Sequence, residues 1–572
     1  MTAFPAKKDD ISIVLCGAAG QGIQTVEQLL THVFKLSNYN LFSTKEYMSR
    51  VRGGSNSTEL RVSSHKVSAL VDKIDLLFPL SSEALKHVAG RISTETIIIG
   101  EKEKLLSADD TFEIIDIPLT ETANTIGGAI YSNIIIVGVI AALFKIDSGV
   151  LKDYLRKRFG KKGKTVVEKN IDAVETGFKI GAELVNSGKI DISLSKDESV
   201  SDEIIINGGD AVSMGAIAGG CNFISSYPMT PSTYVLTFLA GQSKEFDILV
   251  EQAEDEIAAI NMAIGAWYAG ARAMVTTSGG GFALMVEGLS LAGIMESPMV
   301  IHLAQRPGPA TGQPTRTEQG DLLFALFSGH GEFPRIMFAP GSLEEAFYLT
   351  QKAFDLADKY QVPVFVMTDQ YFIDSYYNIP KINVSGLKLE QHIIKTDSEY
   401  RRYEITKNGV SPRGIPGKGD GLVIVDSDEH DYAGHLTEDT EIRVEMNDKR
   451  LKKIDAITKE AVPPKLTGNK TCKYLVVCWG STYNIVTESV QGLGRNDVST
   501  LHFSQVYPLH PDSSAYFKNA ENLIIVENNA TAQFASILKL YLGIDIPTKI
   551  LKYNGLAFSV EELTEKLADA IS

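Results

Sequence analysis

Twice in this chain a short, mostly apolar run leads at once into glycines and then into a helix-like stretch. No other feature constrains the fold as much. Ile11-Ser12-Ile13-Val14-Leu15 passes into Cys16-Gly17-Ala18-Ala19-Gly20-Gln21-Gly22 and then Ile23 to Phe34; Ile204-Ile205-Ile206 passes into Asn207-Gly208-Gly209-Asp210. Strands that read apolar on both faces belong inside a sheet covered on both sides, as in α/β units. Strand candidates at Leu76–Leu80 and Thr96–Ile99, and near Leu249, Met274, Met299 and Val364, continue the alternation. The expected fold class is α/β and multidomain, with mostly parallel sheets under helices.

The expected domains are residues 1–195, 203–385 and 466–572, with 386–465 as an irregular connecting segment centred on Ser411-Pro412-Arg413-Gly414-Ile415-Pro416-Gly417. The stretch Lys189 to Glu203, acidic and serine-rich, reads as a linker. Gly208 and Gly209 read as a turn, with Ser213 and Gly215 opening the helix beyond it. The last domain begins at Lys473-Tyr474-Leu475-Val476-Val477 and ends in an amphipathic segment, Val560 to Ile571.

Hydrophobic residues make up 44% of the chain and charged residues 22%, with a net charge of −16. That balance suits a soluble globular protein and argues against nucleic acid or an anionic membrane as a partner. The apolar segment Ile134 to Phe144 falls short of the about 20 residues that span a bilayer, so it reads as a buried helix. The amino-terminal residues lack the pattern of a secretion signal, and the expected location is cytoplasmic. None of the four cysteines, Cys16, Cys221, Cys472 and Cys478, stands at the two-residue spacing of zinc or iron–sulfur motifs. They read as small buried residues, and no metal ligand is expected on this chain. Gly419-Asp420-Gly421, with Asn447 downstream, sits in the irregular segment and reads as a plain turn.

Three local patterns carry chemistry. A glycine-rich turn between strand and helix exposes backbone N–H groups to an anion; Gly17, Gly20 and Gly22 fit that reading, and equally tight helix–strand packing. Gly279-Gly280-Gly281, after Thr276-Thr277-Ser278, suits either a close approach to the main chain or a flexible loop. Glu256 ends an acidic run and precedes Ile257 to Ala266, a small and apolar stretch. A carboxyl at such a border is partly desolvated, which raises its pKa and favours a form able to donate a hydrogen bond.

Several motifs then join in order. Ser226-Tyr227-Pro228-Met229-Thr230-Pro231-Ser232 resembles the Tyr-Pro-x-Thr-Pro signature of 2-oxoacid:ferredoxin oxidoreductase large subunits. Val250 to Ala259, Gly265-Ala266, Gly270-Ala271-Arg272 and Thr276-Thr277-Ser278-Gly279 follow as in the domain that receives the pyrimidine of thiamine diphosphate. Ala304-Gln305-Arg306-Pro307-Gly308-Pro309-Ala310-Thr311-Gly312 is similar to the segment supplying a substrate-carboxylate arginine. Ser427-Asp428-Glu429-His430-Asp431 and Gly434-His435 resemble the 2-oxoglutarate type. The first 190 residues, with Arg52-Gly53-Gly54, resemble the family's gamma subunit fused in front. Residues 473 to 572, with Tyr507-Pro508-Leu509-His510-Pro511, resemble a transketolase-C-terminal-like domain.

The resemblance implies CoA-dependent oxidative decarboxylation of 2-oxoglutarate to succinyl-CoA and carbon dioxide, with ferredoxin reduced, or the reverse reaction. It implies Glu256 at the pyrimidine N1′, with Tyr227, Pro228 and Gly279 also at the cofactor. Thr230 and Arg306 would hold the substrate's near carboxylate, Lys45 the far one, and Gly17, Gly20 and Gly22 would lie near coenzyme A. It further implies a beta subunit holding the diphosphate, its magnesium and a 4Fe–4S cluster, in a heterotetramer of two alpha–beta pairs. A sibling enzyme for pyruvate, branched-chain or aryl 2-oxoacids and a non-catalytic nucleotide-binding scaffold are the competing readings.

Overall fold

The computed structural model describes residues 4–18, 23–49, 54–105 and 112–572. Gly20, Gly22, Arg52 and Gly53 lie outside the described residues. The chain forms two compact units. One runs to Ile206 and takes in Asp374–Ile382 and Ser559–Glu561; the other comprises Asn207–Ile373, Asn383–Phe558 and Glu562–Ser572.

The first unit is built on an eight-stranded sheet. Asp10–Ala18, buried from Ile11 to Gly17, pairs in parallel with Leu76–Pro79, which leads on to Ile97–Gly100 and Ile114–Asp116. On its other side the sheet departs from the expected parallel pattern. Ser55–Ser63 and Asn40–Glu46 run antiparallel, and Tyr376–Pro380 and Glu203–Asn207 extend that edge. Ser55–Ser63 escapes an apolar-run criterion because its buried polar groups are paired instead: Arg61 reaches Asp10 at 2.8 Å and Glu59 meets Arg91 at 2.7 Å. The Ser132–Leu143 helix is buried on nearly every side, as its composition predicts.

Two other expectations need correction. The supposed linker is ordered: Ile190–Ser193 pairs in parallel with Phe4–Lys7, and Asp197 accepts a 2.8 Å hydrogen bond from Asn40. Gly208 and Gly209 are no turn but the first residues of the Gly208–Ala218 helix. Asn207 and Asp210 close its start as a reciprocal capping box, and Gly209 leaves room for the Tyr234 ring.

The second unit holds a seven-stranded sheet in the order Leu249–Gln252, Phe223–Ser226, Ala273–Thr277, Met299–Gln305, Pro363–Asp369, Ile336–Phe338 and Gln505–Tyr507, parallel except at the last pair. His302 ties three of these strands, its ring nitrogens 2.8 Å from Thr276 Oγ1 and 2.9 Å from Thr368 Oγ1. A five-stranded sheet around Cys472–Trp479 forms the carboxyl-terminal layer. It is fixed by Gln319, whose backbone donates to Asn528 O at 2.7 Å and whose amide donates to Trp479 O at 2.9 Å.

The irregular segment is clamped down by buried charge. Arg413 meets Asp358, and Arg402 donates to Glu296 O at 2.8 Å. It ends in the Thr440–Lys459 helix, unforeseen because part of its buried face is Lys449, Arg450 and Lys453 rather than apolar side chains. Lys449 and Lys453 both pair with the buried Glu296 at 2.5 Å, a placement that needs such partners. All four cysteines are buried and free. Among the described residues no single helix is long and apolar enough to cross a membrane.

Candidate active site

Four neighbouring parallel strands release their chains at the same sheet edge, where ligands of open α/β sheets bind. Phe223–Ser226 leads into Tyr227 to Pro231, and Leu249–Gln252 into Glu256. Ala273–Thr277 leads into Ser278 and the glycines, and Met299–Gln305 into Arg306. Tyr227 is exposed, whereas Glu256 and Arg306 are 4% and 7% exposed.

Glu256 opens the Glu256–Tyr268 helix. Asp255 caps that helix by accepting a 2.7 Å hydrogen bond from Ala258 N, which leaves the Glu256 side chain for other work. Burial pushes its carboxyl above the ordinary range, helped by Asp255 and opposed by its own backbone N–H and by Arg306. The three glycines resolve as the first turn of the Gly279–Ile294 helix, so the loop reading gives way to close approach. A Cβ on Gly281 would stand 2.9 Å from Glu256 Cδ, and one on Gly279 would stand 2.5 Å from Asp321 Cγ. Glycine is required because two carboxyls press against one helix start.

Arg306 donates from Nη1 to the backbone oxygen of Thr230 at 2.7 Å, which ties the arginine to the Tyr227–Pro231 turn. Its charge is felt by both Glu256 and Asp321. Sequence reasoning did not single out Asp321, although the acidic pair Glu318 and Asp321 downstream of Arg306 was the available signal. Arg306 Nε, Ser278 Oγ and Asp321 Oδ2 are all buried without a hydrogen-bond partner. Buried polar atoms are seldom left so, and this set, with the carboxyl of Glu256, fits a polar ligand carrying both an anion and a ring nitrogen.

Lys45 is in the first unit, at the end of Asn40–Glu46. Its ammonium pairs with Asp374 at 2.8 Å, and its charge also reaches Glu27, a buried carboxyl that accepts from Ser43 Oγ at 3.0 Å. Gly17 is buried at the end of its strand. A cavity of about 770 Å³ in the same unit is lined by Thr25, Pro79, Ile130, Tyr131, Phe159 and Lys162, among others. Pro79 sits beside Cys16 in the sheet. Asp420 N donates to Thr396 O at 2.9 Å, and Asn447 lies on a helix, so Gly419-Asp420-Gly421 is a loop anchored on Thr396.

Such a fold and site define an α/β enzyme subunit with a thiamine diphosphate-binding domain. Residues 214–449 match the family described as pyruvate flavodoxin/ferredoxin oxidoreductase, thiamine diphosphate-binding, and residues 12–180 match pyruvate ferredoxin/flavodoxin oxidoreductase. The alpha subunit of 2-oxoacid:ferredoxin oxidoreductase from a Sulfolobus species is 32% identical over 98% of this chain and 97% of its own. The 2-oxoglutarate synthase subunit KorA of Archaeoglobus fulgidus is 33% identical over 57% of this chain and 88% of its own. The solved 2-oxoglutarate:ferredoxin oxidoreductase of Magnetococcus marinus, with 2-oxoglutarate, coenzyme A and succinyl-CoA bound, is 28% identical. It covers 99% of this chain and 100% of that one, with a TM-score of 0.90. This chain belongs to the alpha subunits of the 2-oxoacid:ferredoxin oxidoreductases. That membership sets aside the reading as a non-catalytic scaffold.

Proposed function

We propose that this subunit serves a 2-oxoglutarate:ferredoxin oxidoreductase, forming succinyl-CoA and carbon dioxide while ferredoxin is reduced, or running in reverse. The observation that carries the reading is the meeting of Glu256, Arg306 and the Gly279–Gly281 helix start at one sheet edge. Thiamine diphosphate, when bound, supplies the electron sink for decarboxylation. Glu256, its pKa raised by burial, holds a proton toward the pyrimidine N1′, with Tyr227, Pro228 and Gly279 bordering that ring. Arg306 takes the carboxylate next to the reacting carbonyl through paired charge-assisted hydrogen bonds, and Thr230 lends its hydroxyl.

The 2-oxoglutarate preference draws support from the Magnetococcus and Archaeoglobus relatives. Lys45 is the proposed determinant of the second carboxylate, and taking that role means loosening its pairing with Asp374. Coenzyme A is assigned to the 770 Å³ cavity of the first unit, with Gly17, at the end of its buried strand, as the proposed contact from the glycine-rich turn. The diphosphate, magnesium and a 4Fe–4S cluster are assigned to a beta subunit, the whole being two alpha–beta pairs in the cytoplasm. Substrate profiling of the purified complex tests the reading: kcat/KM should favour 2-oxoglutarate over pyruvate, and a preference for pyruvate, branched-chain or aryl 2-oxoacids would install the sibling activity instead.

A further inference from the structure

Asp321 has no part in the site just proposed, yet it is built into it. It stands at the N-cap position of the Leu322–Phe327 helix, but its side chain makes no capping hydrogen bond. Its backbone N–H is held by Gln305 Oε1 at 3.0 Å, and Gln305 is in turn held by donating to Thr368 O at 3.2 Å. The carboxyl is thereby placed over Gly279, where a Cβ would stand 2.5 Å from its Cγ. Its Oδ2 is buried and unpartnered, as are Arg306 Nε and Ser278 Oγ. An acid beside an arginine would ordinarily close an ion pair. Here the guanidinium instead donates to Thr230 O, and Arg306 and Asp321 feel each other's charge while Arg306 Nε and Asp321 Oδ2 stay without a hydrogen-bond partner.

On the reading of the site as a 2-oxoacid pocket, we propose that Asp321 is a further ligand of the substrate's carboxylate, acting beside Arg306 as a hydrogen-bond donor. A carboxylic acid facing a carboxylate makes a short, charge-assisted O–H···O⁻ bond, and two carboxyls that share one site cannot both ionise. The groups bearing on Asp321 agree with this role. Burial and the Glu318 carboxylate push its pKa up to about 7, against the pull of Arg306, which also serves Glu256. Below pH 7 Asp321 carries its proton and donates. Above pH 7 it ionises, repels the incoming carboxylate and occupies Arg306. Substrate binding at alkaline pH therefore takes up the missing proton.

The test uses the complex of this chain with its partner subunit, saturated with coenzyme A and electron acceptor, from pH 6 to 9. KM for the 2-oxoacid should rise above pH 7 toward tenfold per pH unit, the limit for one obligatory proton, while kcat changes less. Asp321→Asn, whose amide donates at any pH, should show a flat KM over that range. Asp321→Leu should show a high KM throughout. Calorimetric titration of the thiamine-free wild-type complex with 2-oxoacid, in two buffers of different ionisation enthalpy at pH 8, should record uptake of about one proton. This measurement needs no variant to fold. No uptake, or an Asp321→Asn profile that rises like wild type, overturns the role of Asp321 while wild-type turnover leaves the enzyme reading standing. A wild-type complex that turns over no 2-oxoacid overturns both.

Discussion

Replacing Gly281 by alanine sets local helix preference against the geometry of the site. Alanine in the first turn of the Gly279–Ile294 helix removes a glycine's backbone-entropy cost and should stabilise that helix by up to about 1 kcal/mol. The new methyl, however, would stand 2.9 Å from Glu256 Cδ, where ordinary contact begins at 3.4 Å, with Oε1 and Thr277 Oγ1 closer still. Thr277 Oγ1 and Glu256 Oε1, the nearest atoms to the new methyl, must both give way; a displacement of the Glu256 carboxyl by about 1 Å costs on the order of 10²-fold in rate. Overpacking against the buried Thr277 and Glu256 side chains costs about 1–3 kcal/mol, more than the helix preference returns, so melting should fall modestly and turnover at saturating 2-oxoacid should fall about 10²-fold. Gly265→Ala is the control: it lies within the Glu256–Tyr268 helix, and a Cβ there meets nothing within 4 Å. It should gain the helix preference and keep the activity. Turnover of Gly281→Ala within a few-fold of wild type would refute the placement of Glu256 as the group that the glycine makes room for.

Glu256→Gln should leave assembly intact and lower turnover by about 10²–10⁴-fold, the range of general acid–base contributions; near-normal turnover would remove its assignment. Arg306→Met should damage use of 2-oxoglutarate and pyruvate alike, whereas Lys45→Met should raise KM for 2-oxoglutarate with little effect on pyruvate. The second variant removes the ammonium that pairs with Asp374, a destabilisation that melting will register, so the kcat/KM ratio on folded complex is the deciding measurement. Glu27 itself gives a pH signature, because burial lifts its folded pKa from 4.5 to about 7. The unfolded chain loses this proton first, so stability falls as pH rises between those values, on the order of 1–3 kcal/mol in all. Glu27→Gln should flatten that decline in melting temperature between pH 5 and 7.5, and an unchanged slope would refute it. Purified alone, this chain should hold no iron–sulfur cluster, and visible absorbance from one would contradict its assignment to the beta subunit.

Much of this protein is local in its causes, and that part is legible from residues in order. Ile11–Leu15 and Met299–Leu303 are apolar runs that water would penalise on either face, so they become interior strands wherever they are. Glu256 at the border of acidic and small apolar residues already announces a desolvated carboxyl. The chain reads differently where a residue's meaning depends on a distant partner. Ser55–Ser63 is too polar to pass as a buried strand until Asp10 and Arg91 supply its counter-charges. The Thr440–Lys459 helix buries lysines that only Glu296 makes tolerable. Gly279-Gly280-Gly281 could be loop or cradle on its own. The approach of Glu256 from one strand end and Asp321 from beyond another decides it. Lys45 looks like half of a surface pair with Glu46, but folding gives it Asp374 instead. Sequence by itself determined the alternation of strand and helix and the residue types at the sheet edge, because burial and turn formation act within a few residues. Which carboxyls face which glycines, and which cation each acid meets, was decided only by tertiary structure, because electrostatics in a buried site depends on distance in space and takes no account of distance along the chain.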